Sequence, residues 1–549
     1  MAKVLPARPA LLDQKIRKSA QPKPVPPVES APIPAAVNGV SSARSVGASA
    51  PGFAQVIENG FPTQTGVRPR GGVRRQATTG TRAVKSFMTY ASGSFAAMFA
   101  AANGSIFDVT DPVDPMTADA AVVTGQTGDD YSSVNFATGG GEFMIAVNGV
   151  DPHLTYDGAT FAVNTPAITG ISSALLSFVW AYASRLWFIE KDTLSVWYLP
   201  VDSIGGAATE LSLKGLFPKG GALKFGGVWS SDTGSGLNEK IVFVSTEGEA
   251  LVYTGTDPSS PSTWSRVGLY DISKPLGRKV SHNVGGDLMT ATVNGIVPLS
   301  LAVTKNASEL SISSITKEVN PAWKNLSAIN RDREWSLTEW PEKNMMIVAF
   351  AGDYTLITGT DTLDSIAEAY VVNLETGAWC SRWTGLDMQC TAYFLGRFFF
   401  GSANGNVYEA ESGGSDDGEP YVFKYLEWPD GMGNDHTKEF LQTRTTFTFS
   451  QPFNAQVSIS VNHEVSWPAA PAAAADSTTG GFWDLGGFWD LGGTWDATPT
   501  RRTQHLWRPL GRTGYRGAIQ VQMTFDNIAA PDVEIVSNDV AFRTGSLVN

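Results

Sequence analysis

Residues 142–158 read EFMIAVNGVDPHLTYDG. Two short apolar runs flank an Asn-Gly pair in this stretch, which predicts a β-hairpin, because the turn needs residues that accept positive φ. Six more stretches repeat the order of apolar strand, turn and second strand. They cover residues 94–110, 185–200, 240–255, 287–300, 345–379 and 396–412. The same hairpin unit therefore recurs through most of the chain.

The spacing of these hairpins indicates one architecture. Their turn centres fall near residues 104, 149, 192, 248, 295, 355 and 405. Neighbouring centres are roughly 43 to 60 residues apart, which is typical of β-propeller blades of four short strands each. A single hairpin cannot bury its own face, whereas a ring of blades can. The sequence therefore predicts an all-β fold with an irregular β-propeller of six or seven blades over residues 86–415.

The pattern changes after residue 415. Apolar and polar residues then alternate in four segments, at 443–450, 455–461, 518–525 and 532–539. Such alternation predicts half-buried antiparallel strands, and we expect a C-terminal β-sandwich over residues 416–549. An insertion at 469–499 separates the second of these strands from the third.

The insertion contains three consecutive hexads, GGFWDL GGFWDL GGTWDA, at residues 480–497. In a helix a six-residue step turns a side chain by about 240°, whereas in an extended chain the step is even and keeps equivalent side chains on one face. An extended ribbon is therefore predicted, with tryptophans on one face and aspartates on the other: Trp483, Trp489 and Trp495, and Asp484, Asp490 and Asp496. The ribbon either packs on its own domain, forms a subunit interface or lines a channel.

Two segments precede the propeller. Residues 1–50 are rich in proline and basic near their start, which predicts a disordered or extended arm. Residues 51–85 carry a group of arginines, and no Asp or Glu occurs between Glu58 and Asp108. Such a basic segment in an acidic chain suits docking on an acidic protein surface or contact with phosphates. The docking residues predicted here are Arg68, Arg70, Arg74 and Arg75.

Composition narrows the class of protein. The 549 residues include 40 Lys and Arg against 53 Asp and Glu, a net charge of −13, and only 17% are charged. Low charge with 56 glycines and many aromatic residues suits an all-β protein and not a disordered chain. Two cysteines make neither a disulfide framework nor a zinc site, and they favour synthesis in a reducing cytoplasm. The most apolar run, residues 174–183, is too short to span a bilayer, so no stable membrane insertion is expected.

The sequence carries no catalytic signature. None of its five histidines lies close to another, and neither a His-rich metal motif, a nucleophile elbow nor a phosphate-binding loop occurs. We therefore predict no enzyme activity, no metal and no cofactor. Basic and aromatic residues are segregated along the chain, which disfavours a surface that binds single-stranded nucleic acid.

Residues 58–77, ENGFPTQTGVRPRGGVRRQA, resemble the N-terminal signature of the tail tubular, or nozzle, proteins of short-tailed bacteriophages. An irregular propeller and a C-terminal Trp-Asp repeat are also familiar in that family. The positions that match the signature are Asn59, Phe61, Pro62, Gly66, Val67, Arg68, Arg70, Gly71 and Gly72.

The resemblance implies a structural protein of the virion tail, assembled as a homo-oligomeric ring, as a hexamer in this family. Such a nozzle docks on the tail adaptor ring, gates the channel and lets double-stranded DNA pass transiently during ejection. Tail fibres or spikes attach around it. Two other readings stay open at this stage. One is a host-facing propeller that binds or cleaves surface glycans, and the other is a monomeric propeller scaffold.

Overall fold

The structure is a computed structural model that describes residues 26–545, except residues 46, 49, 94, 113–118, 231–238, 306, 352–367, 435 and 476–500. The hairpin turn expected near residue 355 and all three hexads lie outside the described residues.

The N-terminal part of the chain forms five strands that join sheets built mainly by later residues. They are β1 (Val28–Pro34), β2 (Ala54–Glu58), β3 (Gly60–Pro62), β4 (Val67–Pro69) and β5 (Val73–Thr78).

The next segment forms four four-stranded antiparallel sheets in chain order, the first four blades of the propeller. Blades 1 and 2 contain β6 (Val84–Ser92), β7 (Phe95–Ala102), β8 (Ser105–Asp108) and β9 (Ala121–Thr124), then β10 (Ser132–Thr138), β11 (Gly141–Val147), β12 (Leu154–Tyr156) and β13 (Phe161–Val163). After β14 (Ile168–Thr169) and a 3-10 turn at Ser173–Leu175, blade 3 contains β15 (Leu176–Tyr182), β16 (Arg185–Glu190), β17 (Ser195–Tyr198) and, after β18 (Gly206–Ala207), β19 (Thr209–Ser212). Blade 4 contains β20 (Leu223–Ser230), β21 (Glu239–Ser245), β22 (Glu249–Thr254) and β23 (Ser265–Asp271).

Blade 5 departs from this plan because helices follow its third strand. It contains β24 (Ser281–Val284), β25 (Asp287–Thr292) and β26 (Gly295–Pro298), then α1 (Leu299–Thr304), α2 (Ala307–Ser313), a 3-10 turn at Lys317–Val319 and α3 (Asn320–Ile329). The buried Trp323 of α3 donates its indole N–H to the carbonyl of Thr292 at 2.8 Å, which fixes the helix on the blade. The all-β expectation missed these three helices, which make the propeller irregular.

Blades 6 and 7 complete the propeller. Blade 6 contains β27 (Trp335–Trp340), a 3-10 turn at Pro341–Lys343, β28 (Met345–Phe350), β29 (Glu368–Asn373) and β30 (Trp383–Thr384). Blade 7 contains β31 (Cys390–Phe394), β32 (Arg397–Gly401) and β33 (Asn406–Ala410), and its fourth strand is the N-terminal β5. Residues 73–85, which the sequence analysis placed in a separate docking segment, therefore belong to blades 7 and 1.

The described residues thus form seven blades, within the predicted range of six or seven. The first strand of each blade contacts the first strand of a neighbouring blade all the way round, and β31 of blade 7 contacts β6 of blade 1. These seven strands surround the propeller axis. The Asn-Gly signal was correct at residues 103–104, where both φ angles are positive, 53° and 69°, as the predicted tight turn requires.

The remaining strands form the C-terminal β-sandwich. They are β34 (Tyr421–Glu427), β35 (Lys438–Phe449), β36 (Ala455–Val461), β37 (Arg502–Gly514), β38 (Gly517–Phe525) and β39 (Val533–Thr544). One sheet has the order β2-β34-β38-β36, and the other has β3-β4-β39-β35-β37 with β1 also paired to β39. All four strands predicted here are confirmed, whereas β34 and β37 were not anticipated.

The N-terminal strands tie the sandwich to the propeller. β1 to β4 belong to the sandwich and β5 belongs to blade 7. Buried apolar side chains from both parts form one continuous cluster, which includes Trp379 of blade 6 and Phe423 of the sandwich. A disordered or extended arm was predicted here. Residues 28–34 are extended, and they are held in a sheet by pairing with residues 537–543.

Candidate functional site

The four arginines predicted to dock a partner lie where β4 and β5 pass between the sandwich and blade 7. Each has a carboxylate partner in the same chain. The pairs are Arg68 with Glu411 at 3.0 Å, Arg70 with Asp416 at 2.6 Å, Arg74 with Glu409 at 2.8 Å, and Arg75 with Asp417. All four carboxylates come from residues 409–417, so the basic segment is neutralised within the chain by the end of blade 7.

Arg70 is the centre of this junction. Its side chain is fully buried, and two of its nitrogens donate to the two Asp416 carboxylate oxygens at 2.6 and 2.8 Å. Its Nε donates to Asn59 at 3.1 Å, and its guanidinium lies 4.1 Å from the centre of the Tyr421 ring. Burial lowers the pKa of Arg70, but Asp416 more than offsets this, and the pKa is raised overall.

These contacts give Arg70 an internal role, because a fully buried guanidinium presents no surface to a partner. The docking prediction remains a prediction for the other three arginines. Of these, the side chain of Arg74 is the most exposed, at 57%.

The glycine pair that follows Arg70 has a steric reason. A Cβ atom on Gly72 would lie 2.0 Å from the carbonyl oxygen of Ser415, and one on Gly71 would lie 2.7 Å from Cα of Glu411. No side chain fits at either position. The glycine pair therefore allows the chain to enter β5 of blade 7 in close contact with residues 411–415, which follow the last blade strand, β33. Asn59, Arg70, Gly71 and Gly72, four positions of the family-like signature, therefore build the connection between the two parts of this protein.

A second polar cluster, the axial cluster, joins opposite blades across the propeller axis. Arg278, just before β24 of blade 5, donates to the carbonyl of Ser177 in blade 3 at 2.7 Å and forms an ion pair with Asp130 at the entry to blade 2. Lys279 pairs with Asp130 at 2.6 Å and its Nζ lies 3.5 Å from the carbonyl oxygen of Lys85 in blade 1. Blade 5 does not adjoin blades 1, 2 or 3 in the ring, so these side chains reach across its centre.

Two more charged groups extend the axial cluster. Glu334, before β27 of blade 6, accepts from the backbone N–H of Arg278 at 3.1 Å and pairs with Lys224 of blade 4 at 3.1 Å. Burial would raise the pKa of Asp130, but Lys279 and Arg278 hold it well below its ordinary value. The cluster therefore bridges the axis of the single propeller near the starts of its inner strands.

Replacing Arg278 by alanine should destabilise the propeller by about 1.5–3 kcal/mol, because the hydrogen bonds of its charged guanidinium to Ser177 in blade 3 and to Asp130 at the entry to blade 2 are lost. The depressed pKa of Asp130 means that its contribution is present above the ordinary carboxyl pKa and is lost as the pH falls. The difference from wild type should therefore be larger at pH 7 than at pH 3, as measured by urea unfolding. Lys274→Ala, which removes an exposed pair with Glu247, is the control, and an equal effect of the two changes would contradict this role.

The third site is β37 itself. Among the described residues this 13-residue strand pairs only with β35, at an edge of its sheet, and it is exposed along nearly its whole length. Gln504, Leu506 and Arg508 lie opposite Phe447, Thr445 and Thr443, so they share the face that those buried residues turn inward. Trp507 lies on the other face, is 51% exposed and has the Arg444 guanidinium 5.6 Å from its ring.

β37 contains arginines and no acidic residue. No Asp or Glu occurs from residue 497 to residue 525, although the chain as a whole has a net charge of −13. Arg501 pairs with Glu534 at 2.9 Å, but within the described residues the structure gives no ion pair to Arg502, Arg508 or Arg512. A long edge strand with unpaired backbone groups is a site for strand pairing with another segment. Sequence reasoning did not recognise this strand.

The predicted residues of the hexads, Trp483, Asp484, Trp489, Asp490, Trp495 and Asp496, lie outside the described residues. Their assignment to a channel or subunit interface stays a prediction. The segment ends directly before β37, so the acidic hexads and the basic strand adjoin in sequence.

A cleft beside blade 7 bears on the glycan reading. It has a volume of about 450 Å³, and three carboxylates line it, those of Asp387, Asp416 and Asp417. Each is already bound: Asp416 by Arg70, Asp417 by Arg75, and Asp387 by Gln389 at 2.7 Å. Two aromatic residues line the cleft, Phe400, which is buried, and Tyr408, which is half-buried. The cleft therefore lacks the free carboxylate pair that glycan cleavage needs.

In the part of the chain that the structure describes, no group of three or more His, Cys, Asp and Glu side chains is placed to hold a metal ion. Among the same residues, no helix has the length and apolar character needed to cross a bilayer.

No protein-family model matches this chain, and no curated protein matches it. Several solved β-propellers are similar in structure. YCF48 bound to D1 peptide has a TM-score of 0.35 and 10% identity over 62% of this chain and 94% of its own. The Cps50 (Swd1) β-propeller domain of Myceliophteria thermophila has a TM-score of 0.38 and 9% identity over 62% and 99%. Saccharomyces cerevisiae Sqt1 has a TM-score of 0.32 and 12% identity over 61% and 98%.

Proposed function

We propose that this chain is a structural subunit of the tail of a short-tailed bacteriophage, where copies of it form the distal nozzle ring. In this role it docks on the adaptor ring, gates the channel and lets double-stranded DNA pass during ejection. Fibres or spikes attach around the ring, and the protein acts in the virion tail without catalysis or a cofactor. The family-like signature at residues 58–77 motivates the proposal.

One structural observation carries the proposal. β37 is a long edge strand, exposed on both faces, with a basic charge on an acidic chain. A monomeric enzyme or scaffold usually protects such an edge by shortening it, covering it or placing prolines along it, whereas β37 is 13 residues long and has one proline, Pro509. An assembly subunit instead uses the edge for a contact that exists only between copies or with a partner. The strand therefore suits an assembled protein better than a monomeric one.

The axial cluster is compatible with the same role. Because its side chains bridge the centre of each single propeller, we assign the passage of DNA to a channel between subunits. The acidic net charge suits the wall of such a channel, since a repulsive wall does not trap the passing polymer.

The mass of the purified protein in solution tests the proposal. Light scattering should give about 350 kDa for a ring of six 58.5 kDa chains, alone or after addition of the adaptor ring. A protein that remains at 58.5 kDa at every concentration, with and without the adaptor, would contradict the nozzle assignment. Glycan-binding assays would then be the next experiment.

A further inference from the structure

Among the described residues β37 is paired on one side only, by β35, and a partner for its other edge can be identified from charge and register. The inference rests on the proposed ring and names the segment that occupies this edge. Three segments are candidates to pair with the edge of β37: a second β37, the opposite edge of the same sheet in another copy, and the hexads of another copy.

The first two occupants are disfavoured by observations on this chain. Pairing β37 with a second β37 would bring Arg502, Arg508 and Arg512 against the same arginines, and like charges across a ladder are destabilising. The opposite edge of the sheet is β1, which has the correct antiparallel direction. Pro32 and Pro34 in β1, however, have no N–H group to donate, so that edge is blocked along half its length, whereas the single proline of β37, Pro509, lies outside residues 502–508.

The hexads fit β37 in charge and in register. They are acidic and aromatic, whereas β37 is basic and carries the exposed Trp507. Asp490 and Asp496 are six residues apart, and so are Arg502 and Arg508. Antiparallel pairing that sets Asp496 opposite Arg502 therefore also sets Asp490 opposite Arg508, on one face of the sheet. The same register brings Leu491 opposite Trp507.

The linker favours pairing between copies. In this register a fold-back within one chain would need a tight turn at residues 498–500, which read Thr-Pro-Thr. Tight hairpin loops need a residue that accepts positive φ, usually glycine or asparagine, and this linker has neither. The residue before proline prefers an extended conformation, which also disfavours a tight turn at this linker.

We propose that the edge of β37 is occupied by the Gly-Gly-aromatic-Trp-Asp segment, residues 480–497, of a neighbouring copy of this chain. Asp496 then pairs with Arg502 and Asp490 with Arg508 across the subunit boundary. Each copy donates one segment and accepts one, which is a heterologous contact of the kind that closes into a ring. Under this proposal, Asp490 and Asp496 belong to a subunit interface and not to a channel lining.

Charge reversal with complementation tests the proposal on the full-length protein. One variant carries Arg502→Asp and Arg508→Asp, and the other carries Asp490→Arg and Asp496→Arg. Each alone should reduce the ring fraction about tenfold at a fixed protein concentration, because like charges then face each other at every boundary. An equimolar mixture of the two should restore the ring, since alternating copies place opposite charges at every boundary. Lys324→Asp with Arg331→Asp, two exposed cations elsewhere, is the control for net charge and should assemble normally.

The outcomes separate the two proposals. If the mixture stays unassembled but a single chain with all four reversals assembles, the hexads pair within their own chain and exchange between copies is wrong. If both variants assemble like wild type, the hexads are not the partner of β37, while the ring itself stands. If wild type forms no ring even with the adaptor, the proposed function fails.

Discussion

Arg70→Ala is expected to lower the free energy of unfolding by about 3–5 kcal/mol, because it leaves a partly buried carboxylate without its partner. The guanidinium of Arg70 is fully buried and forms two hydrogen bonds to Asp416. Further bonds from Arg70 reach Asn59 and the carbonyl of Gly71, so the change removes contacts to the sandwich and to blade 7 together.

Urea unfolding followed by tryptophan fluorescence and by circular dichroism measures this effect. Arg74→Ala is the matched control, since Arg74 belongs to the same segment and pairs with Glu409 but is 57% exposed. An exposed pair of that kind contributes about 0–1 kcal/mol. Arg70→Lys should recover only part of the loss, because an ammonium group cannot form the forked contact with Asp416. Equal effects of Arg70→Ala and Arg74→Ala would show that the buried pair does not hold the junction.

Glu427→Gln is expected to remove a strong pH dependence of stability between about pH 5 and pH 8. Glu427 lies inside the sandwich, is 1% exposed and accepts a hydrogen bond from the fully buried Asn538. Burial raises the pKa of Glu427 to about 8, although the hydrogen bond from Asn538 favours the charged form. The folded protein therefore holds a proton on Glu427 at neutral pH that the unfolded chain releases.

The direction in which stability changes with pH follows from the raised pKa of Glu427. With the pKa raised from 4.5 to about 8, the stabilising effect of proton binding is complete below the unfolded-state pKa and is lost as the pH rises toward 8. The slope is about 1.4 kcal/mol per pH unit. Glutamine does not titrate in this range and stays neutral. The variant should therefore become progressively more stable than wild type as the pH rises from 5 to 8.

Urea midpoints at pH 5, 6, 7, 8 and 9 test the prediction. Glu439→Gln is the control, because Glu439 is 55% exposed and lies on the neighbouring β35. Parallel pH profiles for wild type and Glu427→Gln would mean that Glu427 has an ordinary pKa in the folded protein. A variant that follows the control at every pH would lead to the same conclusion.

Local signals in the sequence carried most of the fold. Alternating apolar residues and Asn-Gly turns act over fewer than twenty residues, and they predicted the hairpins of the blades and four strands of the sandwich. The three helices in blade 5 were missed because their apolar residues are few and the segment lies between two strong strand patterns. β37 was missed because both of its faces are exposed, so its sequence shows no alternation.

The candidate sites depended on contacts between distant residues. The sequence identified Arg68, Arg70, Arg74 and Arg75 as a basic group, but their partners lie more than 300 residues later, and only the fold shows that Arg70 is buried. The axial cluster had no sequence signal, because Asp130 and Arg278 meet only when the propeller ring closes.

The sequence by itself thus determined the class of fold, the number of repeating units to within one and the position of the C-terminal sandwich. Periodicity is a property of neighbouring residues and survives without knowledge of the fold. The tertiary structure alone decided that β5 completes blade 7, that the signature residues join two parts of one chain, and that charged side chains bridge the propeller axis. Each of these depends on which distant charges are brought together and removed from water, which ring closure and sheet order determine.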